Sequence, residues 1–124
     1  MNSTVSLSQI TLAAVRTSAL VDFYNAVFEA NLVPVEGYDE FDGVMYRGML
    51  GGVPFLICPN EIAGVNAQQA RHQLHLSVSD VGATVAHAEE MGGAVLEQTQ
   101  DDGTRTVTIR DPDNNTLVLT GRAG

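Results

Sequence analysis

The chain has no lysine. Its six basic residues are all arginine, and fifteen acidic residues outweigh them to give a net charge of −9 over 124 residues. Without lysine, Schiff-base chemistry and the phosphate-binding loop lysine are excluded. The acidic excess argues against nucleic acid or an anionic membrane surface as partner; a neutral or cationic small molecule suits the field better. There is one cysteine, Cys58, so an internal disulfide is excluded. No apolar run approaches the ~20 residues of a membrane span. Met1 to Leu7 is polar and uncharged, unlike a signal peptide. The expectation is a cytoplasmic protein with no membrane or nucleic-acid partner, folded as one domain over residues 1–124.

What the chain does have is an internal repeat, and a repeat constrains a fold more than composition does. Gln9 to Ala14 alternates and leads into a helical pattern from about Ser18 to Glu29; His72 to Ser79 alternates and leads into another from Val81 to Met91. An offset of 64 residues sets Gln9 over Gln73 and Phe23 over His87 with no gap. Three strand-like runs follow each helix, at 32–38, 44–50 and 53–58, then at 95–100, 104–110 and 116–121. The spacing predicts an α+β fold of two βαβββ modules in tandem, at about 7–59 and 72–121, with a linker at 60–71 that has room for one helical turn.

Local chemistry supports these elements. Leu20, Tyr24, Val27 and Phe28 form one apolar helical face, and Val81, Val85, Ala88 and Met91 form another. Thr17 or Ser18 is placed to cap the first helix and Ser79 or Asp80 the second. Gly92-Gly93 ends the second helix. Gly51-Gly52, Asp102-Gly103 and Asn114-Asn115 separate alternating runs and tolerate the positive φ of tight hairpins. Arg110, next to Asp111, is read as a brace for the last hairpin.

The paired modules, Asp22-Phe23-Tyr24 near the first helix, Ser79-Asp80-Val81 at the start of the second, and Asp111-Pro112-Asp113-Asn114 before the last strand together resemble the vicinal oxygen chelate superfamily. That group includes glyoxalase I, bleomycin-resistance proteins and extradiol dioxygenases. The resemblance runs from about Leu7 to Gly121. It implies curved half-barrel sheets around a groove and, in metal-dependent members, four side chains from the two modules around one divalent ion. The positions implied here are Gln9 and Gln73 on the opening strands, Val118 on the last strand, and Phe55 or Leu56 in the first module. No Asp, Glu or His occurs from 50 to 60. Two amides and two apolar side chains are a poor donor set for magnesium or a first-row metal, so no metal ligand and no cofactor is expected. One divalent transition metal on Gln9, Gln73 and His75 is the alternative.

Period-two alternation sends Ile10, Leu12, Leu74, Leu76 and Val78 toward the helices and Gln9, Thr11, Gln73, His75 and Ser77 to the groove, joined by Thr116 and Val118. Phe55 and Leu56 are expected as apolar walls, and Tyr46 and Arg47 to reach a ligand. His75 is the candidate general base; Cys58 is read as a small buried hydrophobe. His72 enters only if the register slips by one residue, and His87 belongs on the surface. The pairs Glu89-Glu90 and Asp101-Asp102 read as a solvated helix face and a turn, and the acidic run Asp39 to Gly43 lacks the twelfth-position Glu of a calcium loop. The reading is a metal-free small-molecule-binding protein, its groove holding a small, partly aromatic or cationic ligand, in a homodimer that covers the sheet edges. A metal-dependent lyase, isomerase or dioxygenase with atypical ligands is the alternative, so whether the chain is catalytic stays open.

Overall fold

The computed structural model describes residues 7–36, 45–59 and 73–122. The linker, its helical turn, His72, the acidic run Asp39 to Gly43 and residues 37 and 38 of the expected second strand lie outside the described residues. The first module contains β1 (Ile10–Ala14), α1 (Thr17–Phe28), β2 (Val33–Pro34), β3 (Tyr46–Leu50) and β4 (Val53–Pro59). The second contains β5 (Gln73–Ser77), α2 (Val81–Glu90), β6 (Ala94–Asp101), β7 (Thr104–Arg110) and β8 (Thr116–Arg122). The offset of 64 carries the start of α1 onto the start of α2.

Each module folds into one four-stranded sheet with the same topology. The N-terminal sheet has the order β1-β4-β3-β2 and the C-terminal sheet β5-β8-β7-β6. In each, the opening strand pairs parallel with the last strand of its module, and the other pairings are antiparallel. The helix supplies the crossover that a parallel pair requires. The opening strands β1 and β5 are edge strands and form no ladder with each other.

Each helix covers one face of its own sheet, and the helices also touch each other. The layers therefore run sheet, helix, helix, sheet, with the uncovered faces pointing away from the centre. Leu20, Phe23 and Tyr24 of α1, Val81 and Ala88 of α2, Phe55 and Ile57 of β4, and Leu117 and Leu119 of β8 are all 1 % exposed or less and belong to one continuous core. Fully burying side chains of this size contributes about 1.5–3 kcal/mol each, and the contribution is shared by both modules. Phe23, Tyr24, Phe28 and Phe55 form an aromatic cluster with ring centroids 5.1–6.0 Å apart.

The helix ends differ from expectation on one side. Asp80 caps α2, accepting Ala83 N at 3.0 Å, and the α2 end turns through Gly92 at φ 95. Neither Thr17 nor Ser18 caps α1: the cap position is Arg16, with no side-chain cap bond. Asp113 from the last hairpin instead accepts Val15 N at 2.8 Å and Arg16 N at 3.1 Å. A carboxylate beside a helix N-terminus is favourable, and here it also ties the modules together. Glycine is required at Gly93, where a Cβ would lie 2.7 Å from Arg110 O and 2.9 Å from the Phe23 ring; this is where α1 presses on the second module.

Candidate functional site

The two uncovered sheet faces and one cleft between the modules are the surfaces available to a ligand. On the C-terminal sheet, pairing places residues side by side in rungs across the uncovered face. Thr99 pairs with Thr106, Thr106 with Thr120, and Thr120 with Ser77, so one rung consists of four hydroxyl side chains. The next contains Glu97, Thr108, Val118 and His75, and beyond it Arg110, Thr116 and Gln73 stand together. Five of the expected groove residues, Gln73, His75, Ser77, Thr116 and Val118, thus share one face. Gln73 Nε2 donates to Thr116 Oγ1 at 3.3 Å. A hydroxyl both donates and accepts, so this face can bond neutral polar groups of either kind.

On the N-terminal sheet, Ile10 aligns with Phe55 and Leu12 with Ile57, which puts Phe55 on the helix side. It is fully buried, and its ring packs 5.1 Å from that of Tyr24. The expectation that Phe55 lines the groove is therefore wrong; only Leu56, aligned with Thr11 and Arg47, is on the uncovered face. Tyr46 pairs with Ile57 and packs on the core, so it too leaves the groove. The uncovered face carries Gln9, Thr11, Ala13, Val33, Arg47, Met49, Pro54 and Leu56 and is largely apolar; Cys58, in phase with them near the end of β4, is buried. Val33 and Met49 are 59 % and 49 % exposed.

Gln9, just before β1, donates from Nε2 to Thr11 Oγ1 at 3.0 Å, while Gln73 is engaged on the other sheet. Within one chain the uncovered faces point apart, so the structure does not bring Gln9 and Gln73 together. The four positions where the resemblance implies metal ligands hold two amides bonded to neighbouring threonines, a valine beside His75 and a leucine beside Thr11. These residues do not fit a divalent ion, because none supplies an anionic or imidazole donor. Among the described residues, no three His, Cys, Asp or Glu side chains are grouped to hold a metal.

Cys58 is 2 % exposed, and burial pushes its thiol above the ordinary value. It is less ionised than a free cysteine, the opposite of an activated nucleophile. Arg110 braces the last hairpin as expected, its Nη1 donating to Asn114 Oδ1 at 3.0 Å.

Sequence reasoning missed Asp111, the one fully buried charged side chain among the described residues. Asp111 accepts hydrogen bonds from Asp113 N, Asn115 N, Asn115 Nδ2 and, at 2.9 Å, the hydroxyl of Tyr24. Burial raises its pKa, and the bonds from Asn115, Tyr24 and Asp113 oppose that rise. Burial also pushes the Tyr24 phenol well above its ordinary value, helped by the Asp111 charge and hydrogen bond. The pair joins α1 to the last hairpin and faces neither uncovered sheet surface, so it is an internal fastening. The sequence signal was Asp111 in a turn motif, but its partner is 87 positions away.

The family model described as a glyoxalase-like domain matches residues 9–120. Among solved structures, a glyoxalase/bleomycin resistance protein/dioxygenase family enzyme from Burkholderia phytofirmans PsJN superposes with a TM-score of 0.75 at 14 % identity, covering 96 % of this chain and all of that one. A lactoylglutathione lyase from Agrobacterium tumefaciens gives 0.69 at 18 % identity, with 94 % and 92 % coverage. A genomically encoded fosfomycin resistance protein from Listeria monocytogenes gives 0.65 at 12 % identity, with 99 % and 96 % coverage. No curated protein sequence matches the chain. At these identities the structural likeness carries the fold alone, with its paired modules and open curved sheets.

Proposed function

The chain belongs to the glyoxalase-like domain family, and from that premise we propose that it is a metal-free small-molecule-binding protein rather than a metalloenzyme. The observation that carries the reading is the donor set: Gln9, Gln73, Val118 and Leu56 stand where metal-dependent members of the superfamily are expected to place their ligands. A divalent ion stripped of water there would keep its charge uncompensated. The uncovered faces supply a ligand surface instead, one apolar and one rich in hydroxyls. That combination suits a small, partly aromatic molecule with polar substituents, and the net charge favours a cationic one.

A complete groove needs one face of each kind, and the two faces of a single chain point apart. We therefore propose a homodimer in which the apolar face of one copy meets the hydroxyl face of the other. Exposed Val33 and Met49 and the unpaired edges of β1 and β5 support this assembly. The absence of any helix long and apolar enough to cross a membrane, among the described residues, is consistent with the cytoplasmic location proposed here.

Native mass spectrometry combined with elemental analysis, on protein purified without chelator, tests both claims. The expected result is a dimer with substoichiometric zinc, nickel, iron and manganese, and no thermal stabilisation when any is added, whereas a true ligand raises the melting temperature by mass action. About one equivalent of a transition metal per groove, lost on His75→Ala, would replace this reading with that of a metal-dependent lyase, isomerase or dioxygenase. A clean monomer at micromolar concentration would remove the shared groove.

A further inference from the structure

On the helix side of the molecule a cleft of about 410 Å³ opens between the modules, meeting the hydroxyl face at Ser77 alone. Its size falls within the roughly 300–1,000 Å³ of small-molecule sites. One wall is the last turn of α1, with Phe28 and Glu29; the other is a face of α2 running from Asp80 at its N-terminus to His87 in its last turn; Leu76 and Val78 contribute apolar surface between them.

Carboxylates outnumber basic groups in this cleft. Glu29 and Asp80 line it against one histidine, His87, and no arginine. The nearby cation, Arg105, approaches Gly82 but donates to Gln98 Oε1 at 2.9 Å. The C-terminal end of α1 adds to the negative potential. Ala30 N and Leu32 N, which would continue the helix by bonding Ala26 and Phe28 carbonyls, go instead to Tyr24 O and Asn25 Oδ1. The last turn has no basic residue to meet the remaining carbonyls, although a cation there is favourable. The opposing positive end of α2 is met by Asp80. An unbalanced negative site therefore remains beside Glu29, next to an apolar wall.

We propose that this cleft is a second binding site, separate from the sheet-face groove, which takes an organic ammonium ion with a compact apolar body. The ammonium lies against Glu29 and the α1 carbonyl end, and the body lies on Phe28, Leu76 and Val78. A bare divalent ion is a poor match, because apolar walls cannot replace its hydration shell. An organic ammonium gives up less water and gains from the aromatic face of Phe28.

The test is calorimetric titration of the full-length protein with phenethylammonium, with 2-phenylethanol as the uncharged control. Saturable binding of the amine and much weaker binding of the alcohol are expected. Glu29→Gln keeps side-chain size and should weaken the amine about tenfold. Asp80→Asn should weaken it several-fold while leaving helix stability unchanged, because asparagine caps as well as aspartate. Thr106→Val, on the hydroxyl face, should leave amine binding intact, so failure of the groove reading and failure of this one are distinguishable. Equal affinity for the alcohol, unchanged affinity in the Glu29→Gln, Asp80→Asn double variant, loss of amine binding in Thr106→Val, or no saturable binding of the amine would each overturn the proposal.

Discussion

On the N-terminal sheet, the face away from the helix carries Ala13, Met49, Pro54 and Leu56; the equivalent face of the C-terminal sheet carries Ser77, Thr99, Thr106, Thr108 and Thr120. The helix-side faces are alike, with Ile10, Leu12, Phe55 and Ile57 in one and Leu74, Leu76, Leu117 and Leu119 in the other. The same topology thus accommodates opposite chemistry on its outer faces as long as the inner ones stay apolar. Packing constrains one side of each strand and leaves the other free to suit a ligand. The same separation limits what the fold implies about activity.

Neighbouring residues on β4 give the sharpest way to break this comparison. Phe55→Ala should cost about 3–5 kcal/mol, because it opens a cavity beneath Tyr24. Leu56→Ala, one position along, should cost about 1 kcal/mol or less. Denaturant midpoints of the two variants check this, and equal losses would mean that the two faces are not distinct. Next in size is the fastening between modules. Asp111→Ala leaves the Tyr24 hydroxyl, the Asn115 amide and two backbone N–H groups without their acceptor, at a cost of about 3 kcal/mol. Differential calorimetry should register it as a lower melting temperature for a single transition.

Alkaline pH tests the same burial by titration. Cys58 and Tyr24 both hold their protons more tightly when folded. Their stabilisation is complete below the unfolded values and is lost as pH rises through the folded ones. Stability should therefore begin to fall above 9.0, the ordinary thiol value, and fall further above 10.0, the ordinary phenol value. Cys58→Ala should remove the first component and Tyr24→Phe the second, as read from melting temperatures across that range. The smallest effects should come from exchanging the character of the outer faces. Leu56→Thr and Thr106→Val should each change stability by less than about 1 kcal/mol yet alter which small molecules are retained in native mass spectra.

Much of the fold was legible because its signals are local. The offset of 64 placed both helix starts, and Gly51, Gly52, Asp102, Gly103 and Asn114 all adopt the positive φ expected of their turns. Alternation in β1 and β5 assigned the two faces correctly because apolar and polar residues take turns there. In Val53 to Cys58 every residue is apolar, so period two has no phase, and Phe55 could not be told from Leu56. Tyr46 was misplaced because an aromatic with a hydroxyl suits either face. The cap of α1 and the partners of Asp111 were hidden for another reason: Asp113 reaches Val15 across 98 positions and Asp111 reaches Tyr24 across 87, and no local pattern encodes such a contact.

The aromatic cluster around Tyr24 has a spectroscopic consequence. All seven aromatic residues of the chain fall between Phe23 and Phe55, and there is no tryptophan. Among the described aromatic residues, the Tyr24 hydroxyl donates to Asp111 and the Phe23 ring lies against Gly93, so these two contacts carry the second module into the tyrosine fluorescence and near-ultraviolet circular dichroism. In wild-type protein the optical signal of Tyr24 senses whether the halves have docked, and in Asp111→Ala that sensitivity should fade while amide signals still register the second sheet.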